Sequence, residues 1–234
     1  MLASPTDPAR ATAVPMLLRL REKDIARCRA LEAEVLPAVP AGYVRQRPAA
    51  AWTACAQGEQ GAGWYVEAQG RVVAVGLLRL ATEPAAGAPH FPRLSPQDWR
   101  HACIVENALV HPAYRGMGLH RMMLRARLEH ARARGLRWAV GGTRLANVAS
   151  WGNMLHCGFM LVGLRSDAPQ AVVGLLAPLD GRRGTRPDFA MQVEAADVAG
   201  HLAALSEGFA GVRFSEGFVS YERWCAPDPV DTAG

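Results

Sequence analysis

Residues 105–135 read VENALVHPAYRGMGLHRMMLRARLEHARARG, and this stretch decides the fold. An apolar run over Ala102–His111, interrupted only by Glu106 and Asn107, leads into the turn Pro112–Gly118. Apolar runs of this length bounded by turn signals form buried strands. Behind the turn, Leu119, Met123 and Ala126, widened by Met122, Leu124 and Leu128, recur at helical spacing opposite Arg121, Arg125 and Arg132. That pattern predicts a helix over Leu119–Arg134, capped by Gly135. A strand, a glycine turn and a helix together make a phosphate-binding device. The first N–H groups of a helix have no partner within it, and the helix dipole adds partial positive charge there. Glycine lets that backbone approach an anion closely. Arg115-Gly116-Met117-Gly118 occupies this turn, with Arg115 adding a formal charge at its rim. Neither common nucleotide pattern fits: GxxxxGK[ST] lacks its Lys and hydroxyl, and GxGxxG fails at Arg121.

Working outward toward the N-terminus, Met16–Leu20 predicts a short strand. Lys23–Leu36 predicts a helix on Ile25, Cys28, Leu31 and Val35, ended by Pro37 and Pro40. Pro48–Gln57 predicts a helical turn or two around Trp52. Trp64–Ala68 and Val72–Leu80 predict a hairpin turning at Gln69–Gly70. Residues 81–99, with four prolines, predict a long irregular loop. Toward the C-terminus, Leu136–Gly141 predicts a strand. Asn147–Cys157 predicts a helix with Asn147 as N-cap and Gly158 as its stop. Phe159–Leu164 and Ala171–Leu176 predict two further strands. Residues 181–187 resemble a linker, and 188–225 predict strand, helix (Asp197–Leu205) and strand. Strands alternating with helices imply a mixed α/β sheet.

Composition narrows the class. The chain has 234 residues, half of them hydrophobic and a fifth charged, which excludes a disordered or low-complexity protein. The net charge of +5 and pI near 9.3 suit an anionic ligand. The arginine-bearing helix lacks interleaved aromatics, so no nucleic-acid partner is expected. The five cysteines show no CxxC and no tight Cys/His spacing, so neither a disulfide scaffold nor a metal site is expected. Leu145–Leu164 has bilayer length without Asp, Glu, Lys or Arg. Its asparagines, His156 and three glycines argue against a membrane span. The N-terminus carries no convincing cleavage signal, and the expected compartment is the cytoplasm.

Residues 105–135, followed by WAVGGTRLANVASWGNMLHCGF at 138–159, resemble the GNAT-type N-acetyltransferase superfamily. The resemblance rests on Val110-His111-Pro112, the Arg115-Gly116-x-Gly118 turn with its helix, the strand at 136–141 and the Asn147…Ser150…Gly158-Phe159 segment. It implies a mixed, mostly antiparallel sheet splayed between two central parallel strands, with helices on both faces. A flexible tail (1–14), a GNAT-like domain (15–180) and a C-terminal strand-helix-strand extension (181–234) are expected. The extension is expected to pack on the same domain, or to offer Phe209, Phe214 and Phe218 to a homodimer partner.

The resemblance further implies acetyl-CoA as co-substrate. The turn over Arg115, Gly116, Met117, Gly118, Leu119 and His120 would bind its pyrophosphate through backbone amides. Leu109 and Val110 would pair with the pantetheine arm, and the Val110 amide would polarise the acetyl carbonyl. Asn147 would contact the pantetheine arm or the amine. Ser150 would face the coenzyme, or serve as a hydroxyl at the start of its helix. His120 departs from the family's small residue. Its ring either crowds the pyrophosphate, donates to a phosphate oxygen or points away.

Acetyl transfer to an amine needs a base, because an alkylammonium has a pKa near 10. Glu106 is the candidate, being a carboxylate on an otherwise apolar strand. In several family members a Glu at the matching position acts as base, directly or through water; a structural hydrogen-bonding or ion-pairing role is the alternative. Asn107 would orient Glu106 or the substrate. Where many relatives place a proton-donating Tyr, this chain has Met154, and the general acid stays open. The expected activity is transfer of acetyl from acetyl-CoA to a primary amine of a small molecule. A peptide or protein amine, or a non-catalytic acyl-CoA-sensing module, are the alternatives.

Overall fold

The computed structural model describes residues 14–40, 43–44, 46–81, 93–166, 170–181 and 184–225. The tail expected over 1–14 falls almost wholly outside these residues. So do 82–92 of the expected 81–99 loop and 182–183 of the expected linker. Along the chain run β1 (Met16–Arg19), α1 (Ile25–Val35), α2 (Ala49–Gln57), β2 (Gly61–Ala68), β3 (Arg71–Leu80), β4 (Ala102–Val110) and α3 (Leu119–Ala133). They are followed by β5 (Trp138–Arg144), α4 (Val148–His156), β6 (Met160–Arg165), β7 (Val172–Pro178), β8 (Thr185–Glu194), α5 (Val198–Ser206), β9 (Phe209–Ser215) and β10 (Phe218–Trp224).

All ten strands belong to one sheet in the order β1-β2-β3-β4-β5-β7-β6-β9-β10-β8. Every neighbouring pair with a described register is antiparallel except β4 and β5, which run parallel. That pair holds together only through Ala102–Trp138, Cys103–Ala139 and Ile104–Val140. Beyond Ile104 the two strands part, leaving the second half of β4 unpaired on that side. The mixed α/β class and the splayed parallel pair are as the sequence implied.

Helices cover both faces. Leu31 and Val35 of α1 and Trp52 of α2 pack with Val75, Leu77 and Leu109 on one face. Leu124 and Leu128 of α3 and Trp151 and Leu155 of α4 pack on the other. Alternation along β4 therefore sends Leu109 to the α1 face, while Val110 packs with Leu119 and Met123 of α3.

The C-terminal segment departs from the expected pattern. The residues read as a linker already include β8, which begins at Thr185, and α5 is followed by two strands rather than one. The short turn at Glu216–Gly217, both at positive φ, hides the break between β9 and β10 in a run of strand-compatible residues. β9 lies beside β6 at Leu161–Gly211, so the segment prolongs the same sheet. Phe209 is buried, and Phe214 meets the Trp151 ring edge-on at 4.9 Å. Of the three phenylalanines expected to face a partner, Phe218 alone is exposed.

Candidate active site

A bulge in β4 sets the geometry. Val75 pairs with Leu109 and Leu77 with Glu106, so Asn107 and Ala108 oppose the single residue Gly76. Asn107 takes φ 43°, a left-handed conformation that asparagine adopts more readily than most residues. The extra residue bends β4 away from β5. Past the bulge, the His111 N–H donates to the Val73 carbonyl at 2.9 Å. The alternation of an antiparallel ladder then turns the Val110 N–H the other way, toward the opened side of the strand.

Arg127 holds the bulge from the α3 face. Its guanidinium is buried: Nε donates to the Met123 carbonyl (3.1 Å), and Nη1 to the Leu77 (3.0 Å) and Glu106 (3.2 Å) carbonyls. Gly76 makes the room, since a Cβ there would come within 3.0 Å of the guanidinium carbon. Burial lowers the Arg127 pKa to about 10, which leaves it protonated at neutral pH. Arg127 is thus no part of a solvated arginine face. It interrupts the apolar stripe of α3 between Leu124 and Leu128, and that interruption was the available signal in the sequence.

The glycine turn has the form the sequence suggested. Gly116 (φ 81°) and Gly118 (φ 74°) are both left-handed, and Gly118 caps α3 without a side-chain hydrogen bond. The first bond of the helix runs from the Met122 N–H to the Gly118 carbonyl at 3.0 Å. The N–H groups of Leu119, His120 and Arg121 lie ahead of it, as anion sites at helix starts require. The Arg115 N–H is spent on the Pro112 carbonyl (3.2 Å), so Arg115 brings its exposed side chain rather than its amide. Met117 is exposed, whereas Leu119 is buried under β2 and β3. His120 is half-buried. Burial, with the Arg127 charge added, lowers its pKa to about 3 and keeps it neutral.

Asn147 stands at the start of α4 but does not cap it with its side chain. Its Nδ2 instead donates to Thr143 Oγ1 at 3.3 Å, while its carbonyl accepts from Ser150 (2.9 Å). Ser150 is half-buried. Met154 is buried where a proton donor was sought. A Cβ on Gly141 of β5 would lie 2.4 Å from the Met154 methyl carbon and 2.9 Å from a Val105 methyl. Met154 therefore fills the space between β4 and β5 with a thioether. His156 is exposed, and burial pushes the Cys157 thiol up, away from thiolate.

On the α1 face, Glu106 is held by two arginines at one oxygen: Arg47 Nη2 lies 2.8 Å and Arg79 Nε 3.3 Å from Oε1. Asn107 does not reach Glu106. Its Nδ2 points to Glu32 Oε1 of α1 at 3.4 Å, and the Arg47 main-chain N–H also donates to the Glu32 carboxylate. Glu32 is 1% exposed, and burial raises its carboxyl pKa above the ordinary range against the pull of Arg47 and Arg29. Glu32, Arg47 and Arg79 were not anticipated. Glu32 falls on the buried face of α1 with Cys28, Leu31 and Val35, and Arg79 shares the face of Leu77 by strand alternation; Arg47 carries no periodic signal. Among the described residues no cluster of His, Cys, Asp and Glu could hold a metal ion, and no helix is long and apolar enough to cross a membrane.

A mixed sheet opened at one parallel pair, with a bulged strand and a glycine-turned helix behind the opening, defines an acetyltransferase fold. The acetyltransferase (GNAT) family matches residues 28–159, more than half of the chain, and the chain belongs to that family. No curated protein matches it in sequence. Among solved structures it is similar to a putative acetyltransferase from Salmonella typhimurium, determined with acetyl-CoA, at 19% identity and a TM-score of 0.54. That match covers 74% of this chain and 99% of the other. A putative acetyltransferase from Acinetobacter baylyi gives 16% identity and 0.55 over 73% and 94%. The ribosomal-protein-S18-alanine N-acetyltransferase from Escherichia coli gives 16% and 0.51 over 75% and 100%. At these identities the likeness is one of fold.

Proposed function

We propose that this protein moves an acetyl group from acetyl-CoA to a primary amine of a small molecule by direct attack. The observation that carries the reading is the bulge of β4. It puts Glu106 on one face, the Val110 N–H on the opened edge, and the free amides of α3 a short way along the chain. The pyrophosphate would lie against the N–H groups after Gly116, with the Arg115 side chain at the rim. The pantetheine arm would run along Leu109 and Val110, opposite Asn147 and Ser150. The Val110 N–H would stabilise the oxygen that gains charge as the thioester carbonyl is attacked.

Glu106 would take the proton of the arriving ammonium, and Asn107 would fix Glu32 beside it. The amine nitrogen then bonds the carbonyl carbon, the C–S bond breaks, and the second amine proton leaves with the thiolate through water. Met154 offers no proton there. General base catalysis of this kind is worth about a hundredfold or more.

The test is thiol release from acetyl-CoA against a panel of amino acids, polyamines, aminoglycosides and short peptides, with Glu106→Gln beside the native chain. The expected result is turnover on at least one small amine and an approximately hundredfold fall in kcat for the variant, with acetyl-CoA affinity unchanged. Tight binding of acetyl-CoA without turnover on any amine would favour a sensing module, the reading to which Met154 lends support.

A further inference from the structure

The state of Glu106 constrains what the acceptor must carry, and this inference rests on the acetyltransferase reading above. The Glu106 side chain is 8% exposed, whereas those of Arg47 and Arg79 are 22% and 35% exposed. The carboxylate is the least exposed of the three groups, and both guanidiniums meet it at Oε1, Arg79 also donating through Nη1 to the Leu80 carbonyl at 3.4 Å. Arg47 Nε is buried without a hydrogen-bond partner, so this arginine has donor capacity left over. Glu32, the other carboxylate here, is engaged by the Arg47 main chain and by Asn107 on the far side.

A plain ammonium that approaches Glu106 adds a third cation beside two guanidiniums and brings no anion to balance them. An amine with its own carboxylate replaces one anion by another. Guanidinium forks fit a planar carboxylate in two-point fashion. We infer that the acceptor bears a carboxylate close to its amine, and that Arg47 and Arg79 receive this carboxylate in exchange for Glu106, which is thereby released to take the ammonium proton. The arginines thus act in specificity, and the base is exposed only by an acceptor of the right charge pattern.

The experiment compares kcat/KM for glycine, β-alanine, γ-aminobutyrate and phenylalanine with methylamine, ethylamine, propylamine and phenethylamine. At least one acid is expected to exceed its matched amine by roughly a hundredfold, and Arg79→Gln is expected to bring that ratio below about tenfold. Calorimetry gives a second, independent readout. With Glu106→Gln the competing anion is gone, so the preferred acid binds about tenfold tighter than to the native chain although turnover is lost.

Matched amines acetylated as well as the acids, or an acid that binds Glu106→Gln no better than the native chain, would overturn the inference. If no amine of either kind is acetylated, nor any member of the wider panel above, the acetyltransferase reading fails instead. Calorimetry on the same four acids then decides the subsite alone: tighter binding to Glu106→Gln upholds it, and equal or weaker binding removes it.

Discussion

The two faces of β4 solve different problems with different materials. Toward α3 the strand presents main chain: bulge carbonyls held by Arg127, a glycine turn, and amides at the start of a helix. Toward α1 it presents side chains, in which Glu32, Arg47, Arg79 and Glu106 form an interlocked charge cluster. A backbone device works with many sequences so long as the φ angles are met, and it suits a ligand that stays the same. A charge cluster is set by which side chains meet, and it suits a ligand that must be told apart from others.

This contrast can be broken or sharpened by substitution. The largest effect is expected from Arg127→Met, which strips donors from the Leu77 and Glu106 carbonyls at the bulge; a loss of about 3 kcal/mol in urea unfolding is expected. Undiminished stability would mean that the strand ladder alone keeps the bulge. Next comes Gly118→Ala, which forces a side chain into φ 74° at the head of α3. Such strain costs about 1–2 kcal/mol, and acetyl-CoA affinity measured by calorimetry should fall about tenfold, with the Glu106 ion pairs left in place.

An effect of similar size, but confined to acid pH, belongs to His120. Its folded pKa lies near 3 and the ordinary value near 6.5, so below pH 6.5 the unfolded chain takes up a proton that the folded chain refuses. Stability is therefore lost as pH falls from 6.5 toward 3, at up to about 1.4 kcal/mol per pH unit. Unfolding midpoints at pH 7 and pH 5 should draw together in His120→Gln; an unchanged gap would place the acid sensitivity elsewhere. The smallest stability change, under about 0.5 kcal/mol, is expected for Asn147→Ala, because that side chain caps nothing. Its cost should appear in the KM for acetyl-CoA.

Legibility in the sequence followed the same division. The turn at Arg115–Gly118, the amphipathic α3 and the hairpin of β2 and β3 could be read because local residue types dictate them. Gly116 and Gly118 announce positive φ, and apolar spacing announces a helix. Glu106 stood out as a charge on an apolar strand, but its two arginines did not, since Arg47 reaches it across 59 positions and Arg79 across 27. Arg127 did not stand out among the arginines of its helix, because helical spacing alone does not reveal the room that Gly76 leaves on the neighbouring strand. The β9–β10 turn was missed because both strands share one strand-compatible composition.

The contact between Met154 and Gly141 has a consequence for substitution. A Cβ on Gly141 would meet the Met154 methyl carbon and a Val105 methyl, so the thioether sits directly against the glycine backbone. A side chain added at 141 therefore requires Met154 to turn its methyl end away and Val105 to give. Residues 105, 141 and 154 thus constrain one another, and a replacement at one of them is felt at the other two.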